Sequence, residues 1–484
     1  MTWALLVLFE AARFALRGML VVLTVHLVRA AVRAMRRGDP EPPKAPAEWP
    51  RVTVQLPLRN EYYVAERILR AAARLDYPRD RLELQVLDDS DDETRARVDE
   101  LARDIEDEGV TVRVVRRPAP EGYKAGALQA GLATATGELI AIFDADCVPA
   151  PDFLRRIVPY FQDPRAGCVQ VRWSFLNRTQ SLLTRVQAIV LDGLFAVDQF
   201  ARATSGLPLQ FNGTNGVWRA EAIRDAGGWR GEILAEDADL SFRAHLVGWR
   251  LVHVRDYAVP TELPSEMGAF RTQQQRWSRG SAQLLRDLGW KIARSDLPLR
   301  DKVMMWLHMG RHAIDPLIVL ACLTSPLTTL FGLPYLVDYS VPLNAALLGS
   351  VGLGCVLFYA VALRYVGATP RDVLAIPLVI PLAIGLSLAY TLAFAQGLLQ
   401  RGGRFVRTPK AGAGGGRERG PRYATARSWL ALLELALAAA HAASTVECVR
   451  RGLIAEGLFF ATVALGLGWV AAGTLASRGV GERA

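Results

Sequence analysis

The sequence predicts a polytopic membrane protein with an α/β domain inserted between its membrane helices. Hydrophobic residues make up 51% of the 484 residues and mean hydropathy is +0.17, with the apolar excess near the amino end and after residue 310. Between these regions, apolar runs of four or five residues alternate with helical patterns and with turns rich in Asp, Gly and Pro. This alternation is typical of a doubly wound parallel sheet.

The amino-terminal segment, residues 1–38, is predicted to be one membrane helix over 3–34. Glu10 and Arg13 are tolerable in a span if they pair with each other or reach the interface. Basic residues after the span place the following chain on the cytoplasmic side, and a cleaved signal peptide is not expected because no basic region precedes the apolar part. These residues are Arg29, Arg33, Arg36 and Arg37. Residues 39–50 read as a proline-rich linker.

The inserted domain is predicted to span residues 51–300. Asn60 and Asp91 are candidate N-caps for the first two helices, and the stretch 122–126 opens a third. The absence of a Gly-x-Gly-x-x-Gly motif after the first strand makes a dinucleotide-binding domain a weak interpretation. The predicted strands are 52–56, 84–87, 112–115 and 140–143.

After the domain, residues 301–397 and 428–484 are predicted to hold further apolar helices, with a loop at 398–427 between them. Pro377 and Pro381 suggest that 373–397 is re-entrant or lies along the membrane interface. The loop carries eight basic residues against Glu418 alone, so we expect it in the cytoplasm. The apolar segments are 313–336, 342–365, 373–397, 428–447 and 453–475.

The charge and the cysteine content limit the kinds of partner and the redox compartment that we expect. The net charge of +9 comes from basic residues clustered beside hydrophobic segments, which favours anchoring at a membrane edge over nucleic-acid binding. The five cysteines show neither paired spacing nor a metal-ligand pattern. We therefore expect no disulfide framework and a domain in a reducing compartment.

The stretch Asp144-Ala145-Asp146 follows the fourth predicted strand directly. Ligands of open α/β sheets collect beyond the carboxyl ends of the strands. Two carboxylates there repel each other unless a cation is near, and a hard divalent cation suits them when phosphate oxygens complete its shell. The pattern predicts a metal–diphosphate site; an Asp-rich turn is the plain alternative.

Two further polar stretches lie at a strand end and at a helix start of the same domain. Asp88 and Asp89 end the second strand, where carboxylates can bind a base and a ribose, or can simply cap a helix. Lys124 lies at a helix start, where a cation adds to the field that attracts phosphate. A solvated lysine is the alternative interpretation.

Three stretches follow later in the domain. Residues 211–216 contain Asn212, Gly213 and Thr214, with glycines that let backbone approach a ligand. Glu236 and Asp237 precede a helix and are candidate bases, with helix capping as the alternative. In the stretch 273–280, Arg276 can bind a diphosphate in a fork and Trp277 can stack on a sugar ring, although such a pair more often packs in a core or an interface.

Together, in this order and spacing, the motifs resemble those of the membrane-embedded family 2 glycosyltransferases, the cellulose synthase-like group. The resemblance rests on the paired aspartates, on Glu236-Asp237 and on the closing pattern from Gln273 to Trp277. Residues 211–219, 226–229 and 248–250 look most like the mannan and glucomannan synthase-like branch. The stretch 405–410 is similar to a cellulose synthase gating loop.

This resemblance implies a GT-A (Rossmann-like) catalytic domain in the cytoplasm and an integral cell-membrane protein. It implies an inverting, processive synthase that builds a β-linked glycan from UDP-glucose or GDP-mannose and threads it across the membrane. The implied roles are Asp237 and Glu236 in catalysis; Asp88, Asp89, Lys124, Asp144, Gln273, Arg276, Thr408 and Lys410 at the donor; Asn212, Gly213, Thr214 and Trp277 at the acceptor; and Asp144 and Asp146 at Mg²⁺ or Mn²⁺.

Two alternatives stay open at this stage. An enzyme that adds a single sugar to a lipid acceptor shares the aspartates and the closing motif. A transporter or sensor with a degenerate enzyme domain is the other, and the presence of Asp237 and Asp146 argues against it. The sequence departs from the family at Ala235, which is often Thr, and at Ala127, which is often Asn.

Overall fold

The structure, a computed structural model, describes residues 3–331, 340–403 and 429–477. Seven strands of the described chain form one sheet in the order β3-β2-β1-β4-β6-β5-β7. The strands are β1 (Val52–Leu58), β2 (Leu82–Asp88), β3 (Thr111–Val115), β4 (Leu139–Ile142), β5 (Ala166–Phe175), β6 (Gly216–Arg219) and β7 (Arg250–Thr261).

Helices cover both faces of the sheet and form a separate bundle beyond it. Those up to residue 309 are α1 (Trp3–Arg36), α2 (Tyr62–Ala73), α3 (Thr94–Asp107), α4 (Tyr123–Thr134), α5 (Phe153–Ile157), α6 (Leu182–Asp192), α7 (Phe200–Ala203), α8 (Ala220–Asp225), α9 (Glu236–Leu246), α10 (Met267–Arg294) and α11 (Leu299–Met309). The later ones are α12 (Asp315–Phe331), α13 (Ser340–Val366), α14 (Pro370–Ala375), α15 (Val379–Leu399), α16 (Leu430–Arg450) and α17 (Ile454–Ala476).

The sheet is mixed, so the prediction of a wholly parallel sheet was wrong in one respect. β1 to β4 pair in parallel as expected, but β6 runs antiparallel between β4 and β5. The chain reaches β6 through residues 211–216, where the Asn215 N–H donates to the carbonyl of Ile142 at 3.0 Å. This strand is only four residues long, and a run of that length gives little periodicity from which to predict it.

Each face of the sheet is buried under its own helices. Val64 and Ile68 of α2 and Leu101 of α3 pack on one face. Leu128 of α4 and Leu240 of α9 pack on the other. Because β1, β2 and β4 are buried on both faces, their sequences read as continuous apolar runs, and this is why these three strands were recognisable.

Two predicted helix caps were wrong. α2 begins after Glu61, and Asn60 has a left-handed φ of 53°. The Asn60 side chain instead donates to Asp91 at 2.7 Å, which ties the two loops together. α3 begins after Glu93, and its Thr94 N–H is bound by Asp92 rather than by Asp91.

Six helices of the described chain are long and apolar enough to cross a membrane: Glu10–Arg36, Arg311–Phe331, Gly349–Val366, Pro370–Leu399, Leu430–Arg450 and Ile454–Ala476. In the first, Arg13 Nη1 lies 2.7 Å from Glu10 Oε1, so the expected pair forms. The fourth is interrupted at Pro377, where a short 3₁₀ turn separates α14 from α15.

Both ends of the fourth candidate span contact the α/β domain. At the α14 end, Arg185 of α6 lies 2.8 Å from Asp372. At the other end, Arg286 of α10 donates to the carbonyl of Gly397 at 3.0 Å. Because this helix is also long and apolar enough to cross a membrane, a re-entrant or interfacial position for 373–397 stays a prediction.

Candidate active site

The predicted site residues gather beyond the carboxyl ends of the central strands. Asp88 is the last residue of β2, and Asp144 and Asp146 follow β4. α4 and α9 begin near the same edge with Lys124 and with the acid pair, by which we mean Glu236 and Asp237.

Lys124 is the centre of this group. Its Nζ forms an ion pair with the carboxylate of Asp144 and donates to the carbonyl of Gly213 at 2.7 Å. Burial lowers the pKa of Lys124, but the negative charges of Asp144 and the acid pair outweigh burial and the pKa is raised overall. Lys124 is therefore a charged ammonium group in contact with a carboxylate and a loop carbonyl.

We call residues 211–216 the glycine loop. Gly213 has a φ of +82°, and a Cβ placed on it would lie 3.1 Å from Asp237 Oδ2. The glycine therefore allows the loop to approach the acid pair without a side chain between them. The hydroxyl of Thr214 accepts from the Asp144 N–H at 2.9 Å, so the loop also holds the strand end that carries the aspartates.

The acid pair lies in the first turn of α9, where helix N–H groups favour negative charge. Asp237 Oδ1 accepts from the Ala238 N–H at 2.8 Å. Burial, and then the charge of Asp237, raise the pKa of Glu236 to about 7, and burial likewise raises the pKa of Asp237. Two neighbouring acids whose pKa values are raised toward neutrality suit general base chemistry.

α10 brings the closing motif to the same recess. Burial lowers the pKa of Arg276, while the negative charges of Glu236, Asp144 and Asp237 act in the opposite direction, so its guanidinium faces the carboxylates. Trp277 packs against the apolar cluster that contains Leu263, near the carboxyl end of β5. Gln273 lies one turn before Trp277 on the same helix.

The second strand end is more enclosed than predicted. The Asp88 side chain is fully buried and pairs with Arg116 at 2.9 Å. Asp89 is held by Arg117 through two nitrogens, Nε at 3.1 Å and Nη2. Arg117 also donates to the carbonyl of Tyr123 at 3.0 Å, which connects Asp89 to the start of α4.

Sequence reasoning missed both arginines. The available signal was an adjacent basic pair, Arg116-Arg117, between a strand end and the glycine turn that opens α4. In a single sequence this pair looks like an ordinary solvated charge.

Asp146 lies deeper than Asp144. Its Oδ2 accepts from Thr261 Oγ1 at 2.7 Å and from the Glu262 N–H at 3.1 Å, and these donors fix the carboxylate's orientation. The Asp144 side chain is 38% exposed. Within the described residues, no group of three or more His, Cys, Asp or Glu side chains stands ready to hold a metal. Two hard carboxylates nevertheless fit a cation whose remaining ligands come from water and phosphate.

Thr408, Lys410 and the rest of the predicted gating loop lie outside the described residues. The last described residues before them are Gly402 and Gly403. Gln283 of α10 donates to the Gly402 carbonyl at 2.6 Å and accepts from the Leu234 N–H at 3.0 Å. Gln283 therefore connects the chain just before this segment to Leu234, which lies two residues before the start of α9.

Comparison with known proteins agrees with this architecture. A probable glucomannan 4-beta-mannosyltransferase 7 of Oryza sativa subsp. japonica is 42% identical over 283 residues, covering 57% of this chain and 48% of that protein. Glucomannan 4-beta-mannosyltransferase 2 of Arabidopsis thaliana is 42% identical over 265 residues, covering 54% of this chain and 49% of its own length. This chain therefore matches only about half the length of these relatives.

Among solved structures, a mannosyltransferase from Pyrobaculum calidifontis in complex with GDP-Man and Mn²⁺ superposes with a TM-score of 0.56 at 22% identity, covering 81% of this chain and 99% of that one. This likeness confirms the GT-A-like fold. The sequence family described as "Glycosyltransferase like family 2" matches residues 50–280. The inserted α/β domain therefore belongs to the family 2 glycosyltransferases.

Proposed function

We propose that this protein transfers mannosyl or glucosyl units, with inversion, from a nucleotide-diphosphate sugar to a growing β-linked glycan. The observation that carries the proposal is the recess in which Asp237 faces Gly213, Lys124 and Arg276. A base and two cations around one space would suit a single displacement. GDP-mannose is the first donor to test because the plant relatives are named as mannosyltransferases.

The reaction is a single displacement at the anomeric carbon. An acceptor hydroxyl attacks this carbon as its bond to the diphosphate oxygen breaks, and the hydroxyl proton passes to the Asp237 carboxylate. The raised pKa of Asp237 brings its basicity closer to working pH than that of an ordinary aspartate. Burial and the charge of Asp237 raise the pKa of Glu236, so its protonation state sets the negative charge beside the base.

The leaving diphosphate gains negative charge as the bond breaks. Lys124 and Arg276 are the side chains of this chain that stabilise that charge. Asp144 and Asp146 would hold Mg²⁺ or Mn²⁺, which supplies Lewis-acid neutralisation of the diphosphate when bound. The Lys124–Asp144 ion pair means that donor and cation compete with an existing contact, so Lys124 moves from carboxylate to phosphate on binding.

The two substrates occupy different sides of the recess. Asp89, with Arg117 behind it, borders the donor's nucleoside, and buried Asp88 supports this edge through Arg116. Gln273, on α10, would contact the donor. The glycine loop residues Asn212, Gly213 and Thr214, together with Trp277, would hold the acceptor sugar.

The proposed membrane placement is supported by the helix ends that contact the catalytic domain. The α1 end reaches it through Arg33 and Thr204, at 3.0 Å, and the α17 end through Ser477 and Gly268, at 2.9 Å. If α15 lies at the interface, the segment after Gly403 begins on the catalytic side. The basic residues of 398–427 then put this side in the cytoplasm, and Thr408 and Lys410 can close over the donor.

The test is to offer UDP-glucose, GDP-mannose and UDP-N-acetylglucosamine separately to the purified protein in lipid with Mn²⁺, and to weigh the products. A ladder of hexosyl polymers from GDP-mannose or UDP-glucose supports the proposal. A lipid carrying one sugar would instead establish single transfer. Binding of every donor without release of any nucleotide would refute an enzymatic role.

A further inference from the structure

A single helix connects the membrane bundle to the glycine loop. Residues 182–203 run continuously from α6 into α7, and the middle part, Gly193–Gln199, is a π-helix. π-Helical turns are rare and often lie at functional sites, because the wider turn displaces side chains from the ordinary helical faces. Here the displaced side chains point to two different neighbours.

One neighbour is the membrane bundle. Asp198 Oδ1 lies 2.8 Å from His26 Nε2 of α1. A Cβ placed on Gly193 would lie 2.6 Å from both Phe358 and Tyr359 of α13, so these rings rest directly on the π-helix backbone. The π-helix therefore contacts α1 and α13 directly, and its Phe195 carbonyl also lies 2.8 Å from His253 Nε2 of β7.

The other neighbour is the glycine loop. The fully buried amide of Gln199 forms a reciprocal pair with Asn212: Gln199 Nε2 donates to Asn212 Oδ1 at 2.9 Å, and Asn212 Nδ2 donates to Gln199 Oε1 at 3.3 Å. Gln170 of β5 completes the network, because its Oε1 accepts from Asn212 Nδ2 at 2.7 Å. Paired buried amides fix an orientation as well as a distance, since each must keep its partner.

The backbone after Asn212 adopts a conformation that depends on support from neighbouring side chains. Gly213 and Asn215 both have left-handed φ values, +82° and 60°, and for Asn215 this conformation persists only when its surroundings over-determine it. The Gly213 carbonyl accepts from Lys124, and its Cα faces Asp237. A shift of Asn212 therefore moves the contact between the loop, the cation and the base.

We propose that Gln199 is a positioning residue for glycosyl transfer, and that the π-helix carries the position of α1 and α13 to the glycine loop. The inference rests on the proposed function for its kinetic readout. Gln199 touches neither sugar; it sets the place of Asn212 and Gly213. Any movement of the two membrane helices during acceptor entry would then change the alignment of acceptor and base.

The test compares two matched substitutions in the full-length protein in lipid. Gln199→Met keeps the side-chain volume and removes both amide bonds to Asn212. Gln187→Met makes the same change at another buried glutamine of the same helix, whose amide donates to the Pro264 carbonyl at 2.9 Å. The measurements are donor affinity, transfer rate per unit of bound donor, and hydrogen exchange of the 211–216 amides.

For Gln199→Met we expect transfer to fall about 10- to 100-fold, with donor affinity changed less than about twofold, because misalignment acts on the reacting geometry. The loop amides should exchange faster. Gln187→Met should leave loop exchange and transfer near the wild-type values. His26→Ala should raise loop exchange in the same direction as Gln199→Met.

Equal losses in the two glutamine variants, or unchanged loop exchange in Gln199→Met, would overturn the positioning role. Unchanged loop exchange in His26→Ala would overturn the link to the membrane helices. A wild-type protein that transfers no sugar would refute the proposed function, while the exchange measurements would still decide whether Gln199 holds the loop.

Discussion

Replacing Asp237 with asparagine removes the proposed base and little else. The Asp237 side chain accepts from the Ala238 N–H at 2.8 Å, and an asparagine oxygen can accept the same bond. The opposite side faces Gly213, where a Cβ would lie 3.1 Å away, so the isosteric amide fits the same space. We therefore expect Asp237→Asn to fold normally and to bind the donor.

The expected loss in transfer is about 10²- to 10⁴-fold, the range for a positioned general base. It corresponds to roughly 3–5 kcal/mol of activation free energy. The assay is single-turnover transfer with saturating donor, beside a calorimetric measurement of donor affinity. Normal turnover in Asp237→Asn would refute the assignment, whereas a parallel loss of donor affinity would show that the residue acts in binding.

The remaining predictions concern proton uptake, the cation and topology. Protonation disables a carboxylate base, so transfer should be lost as pH falls through the raised pKa of Asp237. Glu236→Gln removes the neighbouring charge and should move this loss to lower pH, whereas abolished transfer at every pH would make Glu236 the base. Asp146→Ala should weaken donor binding in Mn²⁺, and wild-type activity that persists in excess chelator would refute the metal site. Gly414→Cys, in a background without other reactive thiols, should resist an impermeant thiol reagent in intact cells; labelling would place 398–427 outside. Lys410→Ala should slow transfer while membrane insertion remains normal.

The fold was predictable where burial repeats along the chain. β1, β2 and β4 are buried on both faces, and the helices between them keep an apolar stripe, so a single sequence reveals both. β6 was missed because its pairing and antiparallel direction depend on the glycine loop, a tertiary contact that the sequence does not show. The caps at Asn60 and Asp91 failed for a related reason: these side chains bind each other across two loops, a tertiary contact that local pattern cannot show.

The site was predictable in its acids and less so in their partners. Strand-end position identifies Asp144 and Asp146 from sequence, since it follows from the sheet alone. The partners of Asp88 and Asp89 are arginines from a different strand end, 28 residues away in the chain. The role of Gln199 was not predicted for the same reason. In the sequence, a glutamine inside an apolar helix looks like an isolated polar residue, and only the structure shows the glycine loop beside it.

The charges of the recess connect donor binding to catalysis. Lys124 and Arg276 interact with three carboxylates, those of Asp144 and the acid pair. Burial, and then the charge of Asp237, raise the pKa of Glu236. A divalent cation and a diphosphate that bind together would carry opposite charges that nearly cancel. The cation would nevertheless put positive charge beside Asp144, and Lys124 would then be available to bind phosphate. The charges of Lys124 and Arg276 oppose the burial that raises the pKa of Asp237, so the protonation of the base depends on where these two cations lie when the donor binds.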